Sequence, residues 1–335
     1  MSTRVGLIIN PDAGKDIRRL VSSASYTSNF TKVELGKRVV MGLNASGVDE
    51  VLIMHDNYGL GEDVVNMLST HINTRLTLVE TKGSGTVQDT LVAAERMRRS
   101  GIKAIVVVGG DGTLRAAFKS CGSDLPMVCV AAGTNNVTGA YYDATLAGYA
   151  AGLVATGVVG GECLRSAKAL EVLINGRSSD VAVIDVAFMR KSYVGAKAIV
   201  DVSDIVYAIF SKGEPTDIGL ASILGFLDPT PFESDRGCFV EFGDGGLEVK
   251  AIIMPGEFRV VRIKDYKNLN VDEVVSIPSG RYVVALDGER ELEVYEGDSV
   301  SVRITRKGPL LINVYKVLNT VSGACKRGAS FGRRS

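Results

Sequence analysis

The chain has 335 residues, 46% of them hydrophobic and 23% charged, with Lys+Arg and Asp+Glu both totalling 38. That length leaves room for two domains, each with its own core, and the balanced charge supplies no field to recruit nucleic acid or an acidic membrane. No apolar run reaches the roughly 18 residues of a membrane span, the N-terminus reads as lacking a signal peptide, and Cys121, Cys129, Cys163, Cys238 and Cys325 show no C-x-x-C spacing, as expected of reduced thiols in a cytoplasmic protein.

In chain order, Val5–Ile9 reads as a strand that ends in Asn10-Pro11-Asp12-Ala13-Gly14-Lys15. Pro11 and Gly14 bend that turn, and the Asn10 amide is suited to bonding a nucleotide; Lys15 reads as a solvated turn residue. A helix over Lys32–Asn44, a strand over Val51–His55, a helix over Glu62–Ser69 and a strand over Leu76–Glu80 follow. Gly83-Ser84-Gly85-Thr86 then precedes a helix over Val87–Arg99, with Asp89-Thr90 as its expected cap and Arg96, Arg98 and Arg99 on its exposed face. The strand Ala104–Val108 runs into Gly109-Gly110-Asp111-Gly112-Thr113, and a helix is expected over Leu114–Lys119. Met127–Ala131 is another strand, followed by Ala132-Gly133-Thr134-Asn135-Asn136 and by a helix over Ala144–Ala155 capped by Asp143. Such alternation predicts an α/β N-terminal domain over residues 1–157, with a largely parallel sheet covered by helices on both faces.

The pattern then changes. Leu170–Ile174, the pair Asn175-Gly176 and Asp180–Phe188 form a two-residue hairpin signal. Further strands are expected at Cys238–Phe242, Leu247–Met254, Phe258–Lys264, Arg281–Leu286, Glu291–Tyr295 and Ser299–Arg306. Ile199–Phe210 reads as an inserted helix and Lys212–Asp235 as a loop. Strands without intervening helices predict an antiparallel β-rich C-terminal domain over 158–324, its last part left free to return to the first domain. Residues 325–335 form a basic tail.

The loop at 109–113 carries most of the chemistry. Its glycines permit a sharp turn and close approach to a ligand, the following helix N-terminus favours anions, and Asp111 stands at the carboxyl end of a strand, where open α/β sheets bind ligands. A dinucleotide fingerprint is excluded because Arg115 occupies the third glycine position, and a Walker loop because Gly14-Lys15 is followed by Asp16. With His55 and His71 as the only histidines, acid–base chemistry falls to carboxylates. A fourth motif, Leu286-Asp287-Gly288-Glu289, has the geometry of a hairpin turn.

These four motifs, in this order, resemble those of the superfamily of NAD kinases, diacylglycerol and sphingosine kinases and 6-phosphofructokinases. Asn-Pro-x-x-Gly and Asp-Gly-Glu are similar to the lipid-kinase arm. Gly133-Thr134-Asn135-Asn136-Val137, the Ala- and Gly-rich Thr145–Val154 and Ala285–Glu291 resemble most the ATP-NAD kinase-like group that includes the acetoin-catabolism X protein. The resemblance runs from about residue 4 to 320 and implies an NAD kinase-like fold. The third motif keeps one Asn and one Gly of the NAD kinase pattern, and the chain lacks an Asn-Glu pair.

The implied activity is an ATP-dependent kinase acting on an alcohol, with the adenosine-ribose 2′-hydroxyl of NAD as the leading acceptor. Another small-molecule or lipid hydroxyl, or nucleotide binding without turnover, are the alternatives. In that reading Gly109, Gly110, Gly112 and Thr113 cradle the phosphates of ATP, Mg²⁺ neutralises charge, and Asn10 touches the donor. Gly133 and Thr134 belong to the nucleotide site, while Asn135 and Asn136 meet the acceptor or the ribose. Asp111 orients or deprotonates the hydroxyl, or Asp287 and Glu289 supply the base or hold the metal instead. Nucleotide and small-molecule substrates are the expected partners, with a homo-oligomer by analogy with NAD kinases.

Overall fold

A computed structural model describes residues 2–15, 22–23, 26–133, 136–139, 142–190, 199 and 201–325. Strands β1 (Arg4–Ile9), β2 (Glu50–Met54), β3 (Arg75–Val79), β4 (Ala104–Gly109) and β5 (Pro126–Ala131) pair in parallel, in the order β3-β2-β1-β4-β5. Each is a short apolar run because both of its faces are covered. Along β1, Val5, Leu7 and Ile9 enter one core and Ile8 the other. Helices α1 (Asn29–Ala45), α2 (Leu60–Leu68) and α5 (Ala144–Ala155) pack on the first side, and α3 (Val87–Arg99) and α4 (Asp111–Cys121) on the second. The strand order reverses between β1 and β4, so the Asn10 turn and the glycine loop emerge side by side at the switch point, where such sheets bind ligands.

Two further strands complete this sheet: β6 (Leu164–Ser166) and, from near the C-terminal end, β17 (Leu310–Ile312), which lies parallel to β5. Helix α7 (Val314–Cys325) buries Val314, Val317 and Val321 in the first core. No described helix is long and apolar enough to cross a membrane.

The β-rich half contains two antiparallel sheets. One has the order β13 (Val274–Ile277), β16 (Val300–Thr305), β7 (Ala169–Ile174), β8 (Arg177–Ala182). The other runs β12 (Glu257–Asn270), β11 (Arg236–Met254), β10 (Ile205–Phe210), β9 (Asp185–Met189), β14 (Tyr282–Leu286), β15 (Glu289–Val294). Between them lies a core with Val172, Val302 and Ile304 from the first sheet and Phe188 and Val284 from the second.

Several sequence expectations are corrected. The helix expected over Ile199–Phe210 is instead, over Ile205–Phe210, strand β10 between β9 and β11. Its Ile-Val-Tyr-Ala-Ile-Phe run is β-branched and aromatic, which suits a buried pleated surface. The loop expected over Lys212–Asp235 contains helix α6 (Ala221–Leu227), hidden in the sequence by flanking Gly, Pro and Asp, whose Ile223 and Leu224 are fully buried. The α3 cap is Thr86, which accepts from Gln88 N at 3.2 Å, while Asp89 reaches back to Ser84 N and Gly85 N. Asp143 caps α5 as expected. The single strand expected over Asp180–Phe188 is broken at Val183-Ile184, whose N–H groups turn to the Asp287 carboxylate.

Helices α1 and α5 approach closely through two glycines. A Cβ on Gly148 would lie 2.1 Å from the Val39 carbonyl oxygen, and one on Gly42 would lie 2.2 Å from that of Thr145. Alanine normally gains about 1 kcal/mol over glycine within a helix, but here backbone atoms stand in the way. Gly148→Ala is expected to lower stability by about 1–3 kcal/mol, read as the midpoint of urea unfolding. Gly161→Ala, which meets nothing within 4 Å, is the control and should leave the midpoint near the wild-type value.

Candidate active site

The site begins with backbone geometry. Asn10 N donates to the Val108 carbonyl at 3.0 Å, and Ala132 N to that of Gly109 at 2.9 Å, so the first three motifs are laced together across β1, β4 and β5. The Asn10 Nδ2 group donates to Thr113 Oγ1 at 2.8 Å. At Gly109 a Cβ would sit 2.7 Å from Thr113, and at Gly133 it would sit 2.9 Å from the Gly110 Cα. Glycine is required at both by this close approach. Asn136 closes its own turn, accepting from Gly133 N at 3.1 Å and donating to the Gly133 carbonyl at 2.9 Å. Thr134 and Asn135 lie outside the described residues.

Asp111 opens α4, where the helix dipole favours a carboxylate. It is buried, and both its oxygens serve the third motif: one accepts from Val137 N at 2.9 Å, the other from Thr138 N at 2.9 Å and from the Thr138 hydroxyl. That carboxylate therefore fixes residues 137–138 over the glycine loop.

The fourth motif arrives from the other half of the molecule. Asp287 (φ 52°) and Gly288 (φ 77°) make the tight turn between β14 and β15, with both residues in the left-handed region. The Asp287 side chain is fully buried, and its Oδ1 accepts from Ile184 N at 2.7 Å and Val183 N at 3.0 Å. Arg115 of α4, itself buried, stands 3.6 Å from Asp287 Oδ2 through Nε and donates from Nη2 to Glu291 Oε1 at 3.0 Å. Burial pushes the Asp287 carboxyl up to about 6, against the pull of Arg115 and the two N–H groups. Between the two carboxylates gripped by Arg115 lies Glu289. An ideal Cβ on Gly112 would sit only 3.2 Å from Glu289 Oε1, so the absence of a side chain there lets Glu289 lie against the loop.

Two residues that sequence reasoning passed over support this frame. Arg115 was informative only as a missing glycine, yet it lies four residues after Asp111 and so projects from the same helix face. Lys32 of α1 is fully buried beneath the first turn, its Nζ donating to the Pro11 carbonyl. Burial, reinforced by Lys15, pushes the Lys32 amine down to about 8. Gly85 and Thr86 line a small cleft of about 20 Å³ with Asn10, Asp12, Asp56 and Asp89, which brings the second glycine loop beside the first turn. A groove of about 620 Å³ at the far end of α4 contains none of the motif residues.

Asp287, Glu289 and Glu291 thus gather around the Arg115 guanidinium, and Asp111 lies at the head of the same helix. A polyanionic phosphate donor approaching them needs a cation to offset the repulsion. Among the described residues no three His, Cys, Asp or Glu side chains converge to cage a metal. Carboxylate oxygens such as those of Glu289 are of the donor type that Mg²⁺ takes, commonly one or two together with substrate phosphates and water. Cys121, Cys129, Cys163 and Cys238 are buried free thiols; burial raises Cys121 to about 12 and also raises Cys129, which lies under Gly109, so neither of those two is primed as a nucleophile.

Residues 5–158 match the model of the ATP-NAD kinase N-terminal domain, and residues 168–307 that of the acetoin catabolism protein X C-terminal domain. The fold and the matched domain define a phosphotransferase of the NAD kinase-like class. Over 317 residues the chain is 32% identical to acetoin catabolism protein X of Cupriavidus necator, covering 90% of this chain and 87% of that protein. The chain belongs to the acetoin catabolism protein X family. Two solved structures from Bacillus anthracis str. Sterne, each provisionally named a diacylglycerol kinase, share the fold at 13% identity. Their TM-scores are 0.51 and 0.50, covering 94% and 92% of this chain and 98% and 97% of theirs.

The Lys32 amine gives this frame a pH signature. Between about pH 8 and 10.5 the unfolded chain holds a proton that the folded chain has released, so stability rises with pH across that window. Lys32→Met should remove the rise and speed amide hydrogen exchange over residues 12–15. An unchanged pH profile in the variant would place the effect elsewhere.

Proposed function

We propose that the protein transfers the γ-phosphoryl group of ATP to an alcohol, and that the acceptor is the 2′-hydroxyl of the adenosine ribose of NAD. The observation that carries the reading is the meeting of Glu289 with Gly112, one residue from Asp111, at the head of α4. Gly109, Gly110 and Gly112, with Thr113, cradle the donor phosphates, and Asn10 touches the donor nucleotide. A divalent cation, when bound, offsets the phosphate charge. Gly133, with Thr134 next to it in sequence, belongs to the nucleotide site, and Asn136, with Asn135 beside it in sequence, meets the acceptor or the ribose.

Glu289 is assigned as the base. Its carboxylate lies against Gly112, within reach of a group bound at the head of α4. Asp111 orients the loop, and Asp287 positions the turn. The acceptor hydroxyl passes its proton to Glu289, its oxygen bonds to the γ-phosphorus, and the bond from that phosphorus to the β–γ bridging oxygen breaks to release ADP. Positioning and electrostatics dominate such transfers. Free cysteine thiols favour a cytoplasmic setting, and a homo-oligomer is proposed by analogy with NAD kinases.

A second acceptor class is favoured by one specific observation. The chain has no Asn-Glu pair and only part of the NAD kinase third motif. A small non-nucleotide hydroxyl would need neither, and the C. necator relative is named for acetoin catabolism.

The test incubates the protein with ATP, Mg²⁺ and NAD and detects NADP with an NADP-specific dehydrogenase, following ADP in parallel. NADP should form, stop when EDTA removes the metal, and fall at least about 10²-fold in Asp111→Asn. ADP formed only with a polyol or hydroxy-ketone panel would move the acceptor to the second class. No ADP with any acceptor would overturn the kinase reading.

A further inference from the structure

Helix α4 carries Asp111, Arg115 and Lys119 at four-residue spacing, and of these Arg115 and Lys119 reach the β-rich half. Asp111 holds residues 137–138, and Lys119 pairs with Asp180 at 2.7 Å in a partly exposed bridge. Arg115 lies between them and is buried. We propose that Arg115 is a positioning residue that sets the Asp287-Gly288-Glu289 turn against the glycine loop, so that the second half of the chain presents Glu289 to the acceptor. This rests on the reading in which Glu289 serves phosphoryl transfer.

Three observations support the assignment. Arg115 grips both ends of the segment: Asp287 on one side of Glu289 and Glu291 on the other, at 3.6 and 3.0 Å. The hydrogen-bond donors to Asp287, Val183 N, Ile184 N and Asp185 N, belong to the β-rich half and cannot by themselves register the turn against α4. Finally, the helix does not need this charge to pack. Leu114, Ala117 and Phe118 already fill the core on its inner face, and a buried ion pair is commonly no better for stability than apolar residues of similar volume. Nη1 of Arg115 is also buried without a hydrogen-bond partner. An arginine retained under those conditions contributes registry between the halves.

The test compares Arg115→Gln, Arg115→Lys and Glu291→Gln in the full chain. A misplacement of about 1 Å can reduce turnover about 10²-fold. Arg115→Gln should therefore lower kcat by about that factor with KM for ATP little changed, because the donor-side groups all lie in the first half. Arg115→Lys should recover part of kcat, and Glu291→Gln should give an intermediate loss. In a Glu289→Gln background, Arg115→Gln should add no further loss. A multiplicative loss there, or a parallel rise in KM for ATP, would overturn the proposal.

Amide hydrogen exchange provides a readout independent of turnover and of the kinase reading. Arg115→Gln should speed exchange at 183–184 and 287–291 while leaving 109–113 protected; uniform loosening would mean a general structural role. If Arg115→Gln fails to fold, Glu291→Gln and Arg115→Lys carry the same comparison. Absence of ADP formation by the wild type, with the exchange pattern as expected, would count against the kinase reading and not against the positioning role.

Discussion

The buried carboxylate of Asp287 is the constraint on which the site depends. An ionised side chain in a dry seam is unfavourable unless its oxygens are occupied, and each partner of Asp287 fixes a different part of the molecule. Val183 N and Ile184 N interrupt what would otherwise be one strand, creating the corner between β8 and β9. Arg115 ties the same carboxylate to the helix that begins with Asp111. The left-handed turn at Asp287 and Gly288 then points the chain so that Glu289 meets Gly112, where the loop has no side chain.

The parallel sheet supplies the other half of the geometry. Because β1 and β4 are neighbours at the point where strand order reverses, turns far apart in sequence emerge together. Asn10 and Thr113 can then bond directly across 103 residues. The close glycine contacts at 110 and 133 let two backbone segments share a space that side chains would fill.

Much of this frame was legible in the sequence. The parallel strands, the order of the four motifs and the Asp-Gly turn are all local signals, set by short apolar runs and by residues that tolerate positive φ. Legibility fails where partners are distant. Nothing near Arg115 in sequence indicates that its partners are Asp287 and Glu291, and Lys32 gives no sign that it lies under Pro11. The hairpin geometry of Asp287-Gly288 explained the turn but not the burial of its carboxylate. In the β-rich half, Ile205–Phe210 carries no alternation because it is covered on both faces, and such runs do not distinguish strand from helix. Helix α6 is short and bordered by Gly, Pro and Asp, so only its packing reveals it.

The central claim is that a carboxylate from the second half takes the acceptor's proton while the first half binds the phosphate donor. Rapid-quench single-turnover measurement of γ-phosphoryl transfer in Glu289→Gln, with ATP affinity determined by calorimetry on the same sample, tests it most directly. The account predicts ATP binding close to wild type with transfer slowed by about 10²–10⁴-fold. Transfer at the wild-type rate, or loss of ATP binding in step with transfer, would contradict it.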